Sequence, residues 1–179
     1  TIGAMTHPSA HVTSAPPLVG RADVLAEILA LAADRAGVVV VAGEPGAGAS
    51  RTAREAAGRL TLDGAIAVSA EERGPGRERL ETALRASGHP ADPAGLARIR
   101  PVVVLLGDRP GEPQLAGELA RRLGGSRALV LLTAREPAAD APSVILDRLS
   151  EEDATLLADL MTPGLEPGAA RAIGLLGDG

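Results

Sequence analysis

The segment Gly43-Glu44-Pro45-Gly46-Ala47-Gly48-Ala49-Ser50 holds the residue types that cradle a phosphate. Glycines at this spacing let the backbone aim successive N–H groups into one concavity that an anion fills. A helix opening at the end of the loop adds the positive end of its dipole. The phosphate-binding pattern is Gly-x-x-x-x-Gly-Lys-Ser/Thr. Gly43, Gly48 and Ser50 occupy its fixed places, Glu44, Pro45, Gly46 and Ala47 its variable ones, and Ala49 stands where the lysine belongs, with Arg51 next. Ser50 is placed to ligate Mg²⁺. The missing ammonium would sit between the β- and γ-phosphates of a nucleotide and neutralise charge during transfer. One charge-assisted contact contributes ~1.5–3 kcal/mol, about one to two decades of affinity. Weakened binding of ATP or ADP with Mg²⁺, and severely impaired hydrolysis, are the expectation.

Two further strand ends carry polar groups suited to the same chemistry. The apolar run ending Leu105-Leu106-Gly107-Asp108 has the place of the acidic Walker B strand, which holds Mg²⁺ and orients water. Gly107 takes the first acidic place. Asp108 remains, either as the catalytic and metal-coordinating carboxylate or as part of a turn with Arg109-Pro110-Gly111. A third run ends in Thr133-Ala134-Arg135, where Thr133 and Arg135 are candidate sensors of the terminal phosphate, or Arg135 is a solvated strand end.

The elements that must position these groups follow from periodicity. Leu25, Ile28, Leu29 and Ala32 form one apolar stripe, which predicts a helix over 22–35 that Gly37 ends. Val38–Ala42 and Val102–Leu106 are unalternating β-branched and aliphatic runs, as expected of strands buried on both faces of a parallel sheet. Ala128–Leu132 reads the same way. Shorter strands are predicted at Gly64–Ser69 and Ser143–Leu146. Helices are predicted at 49–59, after the charged stretch Glu71–Arg79 with Leu80 and Leu84 on one side, at 93–99, at 113–123, and from Ser150, whose first turn holds Glu151, Glu152 and Asp153 where the dipole favours acid. A last helix is predicted near 167–176. This strand–helix rhythm argues for a three-layer α/β domain with a mostly parallel central sheet, which binds ligands beyond the carboxyl ends of its strands.

Composition narrows the function. The 179 residues carry 18 basic and 23 acidic side chains, for a net charge of −5. No basic face suited to nucleic acid is evident. Every basic residue is arginine, so there is no phosphate-loop or Schiff-base lysine. With no cysteine and no aromatic residue, thiolate zinc sites are excluded, and the core must be Leu, Val, Ile and Ala. Haem is not expected either. No apolar run approaches the ~18–20 residues that span a bilayer, and no secretory signal is visible, so a cytoplasmic location is expected. Residues 1–17 read as a disordered arm carrying His7 and His11, with Thr1–Ala4 a vector remnant before Met5. Residues 18–149 read as the nucleotide-binding domain and 150–179 as the start of a helical appendage.

Taken together, these residues resemble the STAND branch of P-loop NTPases, the NB-ARC-like group among the AAA+ relatives, from Leu18 onward. Leu18-Val19-Gly20-Arg21 resembles the hydrophobic-Val-Gly-Arg segment that touches the adenine; Val38–Ser50 resembles the phosphate loop except at Ala49. Pro101–Asp108 resembles Walker B with its acidic pair reduced, and Leu131–Arg135 the sensor strand. The resemblance implies nucleotide contacts from Val19, Gly20 and Arg21. It also implies a nucleotide-dependent switch in a larger regulator, whose partners are its other domains and further copies of itself. The favoured reading is a degenerate regulatory or scaffolding module with weak or absent nucleotide binding. The alternatives are an active ATPase in which Arg51 or Arg54 replaces the lysine, and a protein-interaction domain that binds no nucleotide.

Overall fold

The computed structural model describes residues 18–34, 37–69, 76–86, 88, 95, 97–98, 100–107, 109, 111–123 and 127–161. The expected arm, the helix at 167–176, His89 and most of the helix at 93–99 lie outside the described residues. The chain divides into two compact units, Gly20–Ser150 and a second made of Thr1–Val19 with Glu151–Gly179.

In the larger unit the elements run α1 (Ala22–Asp34), β1 (Gly37–Gly43), α2 (Ala49–Leu62), β2 (Ile66–Ser69), α3 (Gly76–Ala86), β3 (Val102–Leu106), α4 (Glu112–Leu123), β4 (Ala128–Ala134) and β5 (Ser143–Leu146). The five strands form one sheet in the order β2-β3-β4-β1-β5, and every pairing is parallel. The sheet thus bears out the α/β reading, with "mostly parallel" becoming wholly parallel among the described strands. β1 lies between β4 and β5, and the chain leaves it for β2 across two intervening strands.

The valine runs explain the layers. Successive strand side chains point to opposite faces, so an unbroken apolar run supplies both. Val40, Ala42, Val102, Val104, Leu106, Val130 and Leu132 join one cluster with Leu84 of α3 and Leu115, Ala116 and Leu119 of α4. The intervening Val39, Val41, Val103, Leu105, Leu129 and Leu131 are buried as well, as are Leu25 and Ile28 of α1 and Ala53, Ala56 and Ala57 of α2. Without aromatic side chains, close approach of helix to sheet does the work of bulk, and the alanines of α2 permit it.

Several boundaries move for local reasons. Gly37 opens β1, paired with Leu129, rather than closing the preceding helix. α2 runs past Arg59 to Leu62, supported by Thr61 Oγ1 donating to Ala57 O (2.8 Å) and by the Arg59–Glu55 pair (3.2 Å). It stops at Gly64, whose φ of +93° suits the turn, and β2 therefore starts later than the sequence suggests. β4 extends through Thr133 and Ala134 because β1 supplies Val41 and Ala42 as partners.

In the smaller unit, α5 (Glu151–Met161) opens on the three acidic residues expected and exposes Leu156, Leu160 and Met161. Among the described residues, no helix is long and apolar enough to cross a membrane.

Candidate phosphate-binding site

Because all strands are parallel, the ends of β1, β3, β4 and β5 share one rim of the sheet. The loop from Gly43 to α2 stands on that rim. It turns tightly, with Ala47 N–H donating to Glu44 O (2.9 Å). Gly46 and Gly48 both have φ near +92°, a region that L side chains avoid. Gly43 is required for a different reason: a Cβ there would lie 3.2 Å from the Cβ atoms of both Ala47 and Leu146. A side chain here would push the loop and β5 apart by a few tenths of an ångström.

α2 begins without a capping side chain. Its N-cap is Gly48, no side-chain hydrogen bond caps it, and its first turn holds no acidic residue. The helical ladder starts with Thr52 N–H to Gly48 O (2.9 Å). The N–H groups of Ala49, Ser50 and Arg51 precede it, and a helix leaves such groups without an internal partner. A Cβ at Gly46 or Gly48 would meet nothing within 4 Å, so the space beside both is open. These main-chain N–H groups at an uncapped helix end are a candidate donor set for an anion. The charge set is incomplete, since residues 43–50 contribute Glu44 and no cation. Ser50 is exposed at the mouth, while Ala49 and Arg51 are half-buried.

Two arginines bind the loop to its surroundings. Arg21 is 6% exposed, and its Nη2 donates to Ala47 O (3.1 Å) and Asp147 O (2.6 Å). It therefore staples the loop to the chain leaving β5. The sequence resemblance assigned Arg21 to the nucleotide; the structure places its guanidinium on the main chain of the loop. On the outer side, Arg148 donates from Nη2 (3.2 Å) and Nε (3.3 Å) to Glu44 Oε2. Beneath the loop, Thr52 is fully buried, and its Oγ1 donates to Gly48 O (3.1 Å).

Thr133 ends in β4 at 6% exposure, and its hydroxyl donates to Leu106 O (3.3 Å), the last residue of β3. Arg135 follows and is exposed, as is Gly20 beside Arg21. Asp108 lies outside the described residues. Val19 belongs to the smaller unit and is half-buried. Among the described residues, no group of three or more acidic or histidine side chains is arranged to hold a metal ion.

Glu112 was not anticipated as a site residue. It opens α4 at 1% exposure, and its Oε2 would lie 3.5 Å from a Cβ placed on Gly107. A glutamate in a first helical turn ordinarily reads as a solvated residue favoured by the dipole. Only the neighbouring side-chain-free Gly107 hints that the carboxylate turns inward.

No family model and no curated protein matches the chain. Among solved structures, it is similar to a signal transduction ATPase with numerous domains (STAND) protein with a tetratricopeptide repeat sensor from Pyrococcus horikoshii. The TM-score is 0.51 at 18% identity, over 97% of this chain and 30% of that one. The chain therefore spans less than a third of that protein's length. At this identity the likeness concerns architecture: an α/β fold with a wholly parallel five-stranded sheet, consistent with a P-loop NTPase-like fold.

Proposed function

We propose that this chain is a STAND-type nucleotide-binding module that binds ATP or ADP with Mg²⁺ weakly, turns it over little or not at all, and serves a regulatory or scaffolding role in a larger cytoplasmic signalling or transcription-regulating protein. The observation that carries the reading is the loop at the end of β1, with two glycines at positive φ, an uncapped and acid-free helix start, and Ala49 at the lysine's place. In this reading the main-chain N–H groups of Gly46 and of Gly48 to Arg51 face the phosphates. Ser50 and Asp108 hold Mg²⁺, Thr133 and Arg135 serve the terminal phosphate, and Gly20 serves the base side. Arg21 acts through the loop it holds. The nucleotide, when bound, supplies the phosphoanhydride whose state the module reads. Other domains of the regulator and further copies of the chain are the partners.

Without the lysine, negative charge accumulating in transfer meets one fewer cation, and preorganised charge of this kind is commonly the largest contribution to rate. Titration of ATP and ADP with and without Mg²⁺, alongside a multiple-turnover assay, tests the proposal. Measurable binding with no turnover above a Ser50→Ala control supports it. Clear Mg²⁺-dependent turnover that the control abolishes would identify an active ATPase. An absence of binding even with Ala49→Lys would remove the nucleotide altogether.

A further inference from the structure

We infer that Arg148 supplies the phosphate site with the cation missing at Ala49, and that Glu44 holds its guanidinium at the lip of the loop until an anion arrives. This rests on the phosphate reading above and names a residue of that same site.

The placement of Arg148 is determined by the fold. β5 pairs with β1 so that Leu146 is level with Gly43. One residue on, Asp147 O accepts from Arg21, which also holds Ala47 O. The main chain at 147 is thereby stapled to the loop, and Arg148 is the next residue. Its Nη2 and Nε meet one oxygen of Glu44, the residue directly after Gly43. An arginine that is 104 positions away in sequence is thus held beside the nest.

Charge argues for what it does there. An anion entering the loop meets the Glu44 carboxylate and no cation from residues 43–50. Arg148 offsets that carboxylate now, and the bond is easily exchanged. The side chains are 62% and 71% exposed, and ion pairs so open to water are weak and screened by salt. A phosphate group offers more charge and several oxygens to the planar guanidinium fork, which matches it in a way that one carboxylate oxygen does not. Arg51 and Arg54 continue along α2 beyond Ser50, whereas Arg148 approaches from the opposite, β5 side of the loop. The lost lysine contact is then replaced by a longer side chain from another strand.

Calorimetric titration of the 179-residue chain with ATP and Mg²⁺ tests this directly, with thermal unfolding confirming that each variant is folded. Arg148→Ala is expected to weaken binding about tenfold and to reduce its dependence on salt. Arg148→Lys, which keeps the charge and loses the fork, falls between. Glu44→Gln, which removes the competing carboxylate, tightens binding severalfold. In an Ala49→Lys background Arg148→Ala loses most of its effect, because the two cations serve one phosphate and their contributions are not additive. If Arg148→Ala binds as the parent does while Ala49→Lys binds more tightly, the nest stands and the assignment to Arg148 is overturned. If neither the parent nor Ala49→Lys binds, the phosphate reading fails and takes this assignment with it.

Discussion

After β1 the chain turns through Gly46 and Gly48, and α2 opens with no acidic residue in its first turn. After β3 it passes Gly107 and Gly111, and α4 opens on Glu112, whose carboxylate is enclosed at 1% exposure. Both connections join a buried parallel strand to a helix at the same rim of the same sheet. The first leaves the positive end of its helix to whatever anion approaches from outside. The second brings a carboxylate of its own to the helix start, where the dipole favours it. Two glycine-containing strand–helix connections thus differ in electrostatic character through the acidic residue at the start of the second helix. Glycine is required by positive φ at Gly46, Gly48 and Gly111, whereas Gly107 has no such requirement.

Substitutions at four positions test this contrast. The largest effect is expected from Arg21→Ala, which removes two hydrogen bonds from a charged donor and frees the loop from β5. At ~1.5–3 kcal/mol for a charged hydrogen bond, with less than full additivity, the loss is about 3 kcal/mol. For a chain of this length that lowers the melting temperature by roughly 6–12 °C, read by circular dichroism. Arg21→Lys carries its donor on a shorter side chain and is expected to recover less than half. An unchanged melting temperature for Arg21→Ala would mean that the staple holds nothing.

Ala49→Lys comes next, completing the cation of the first loop. It is expected to tighten ATP binding at least ~10-fold by calorimetry, the value of one charge-assisted contact. Unchanged affinity both in the parent and in an Arg148→Ala background would show that the N–H groups do not face a phosphate.

Gly48→Ala places a Cβ at φ +92°, where the space is open but the backbone conformation is unfavourable. A cost of about 1–2 kcal/mol in denaturant-induced unfolding is expected, with weaker ATP binding beside it. The smallest effect belongs to the second loop. Gly107 is not among the positive-φ glycines, and a Cβ there meets Glu112 Oε2 at an ordinary 3.5 Å. Gly107→Ala is expected to change stability by less than ~0.5 kcal/mol, as for most unstrained substitutions. Equal costs at the two glycines would erase the contrast between the loops.

The legibility of these features differed with their physical origin. The strands of the core could be read because β-branched runs without alternation have few other stable uses than a sheet covered on both faces. The loop could be read because glycines at that spacing, between such a strand and a helix, leave a strong local signature. Glu112 could not be read, since a first-turn glutamate looks the same whether its carboxylate faces water or the space beside Gly107. Arg21 drew attention as a ligand residue, while its guanidinium in the structure lies on two main-chain carbonyls. Arg148 carried no signal at all, because its relation to Glu44 exists only once β5 lies beside β1.

By itself the sequence determined most of the described strands and helices, that the core is aliphatic, and that a glycine-rich loop without a lysine follows the first strand. These are local properties, set by side-chain branching, periodicity and the backbone freedom of glycine within a few residues. The tertiary structure alone decided the strand order β2-β3-β4-β1-β5, the staple from Arg21 and the approach of Arg148 to the loop. Those depend on which parallel strands become neighbours, a choice made by the packing of two helical layers over long sequence separations and not by any residue's own preference.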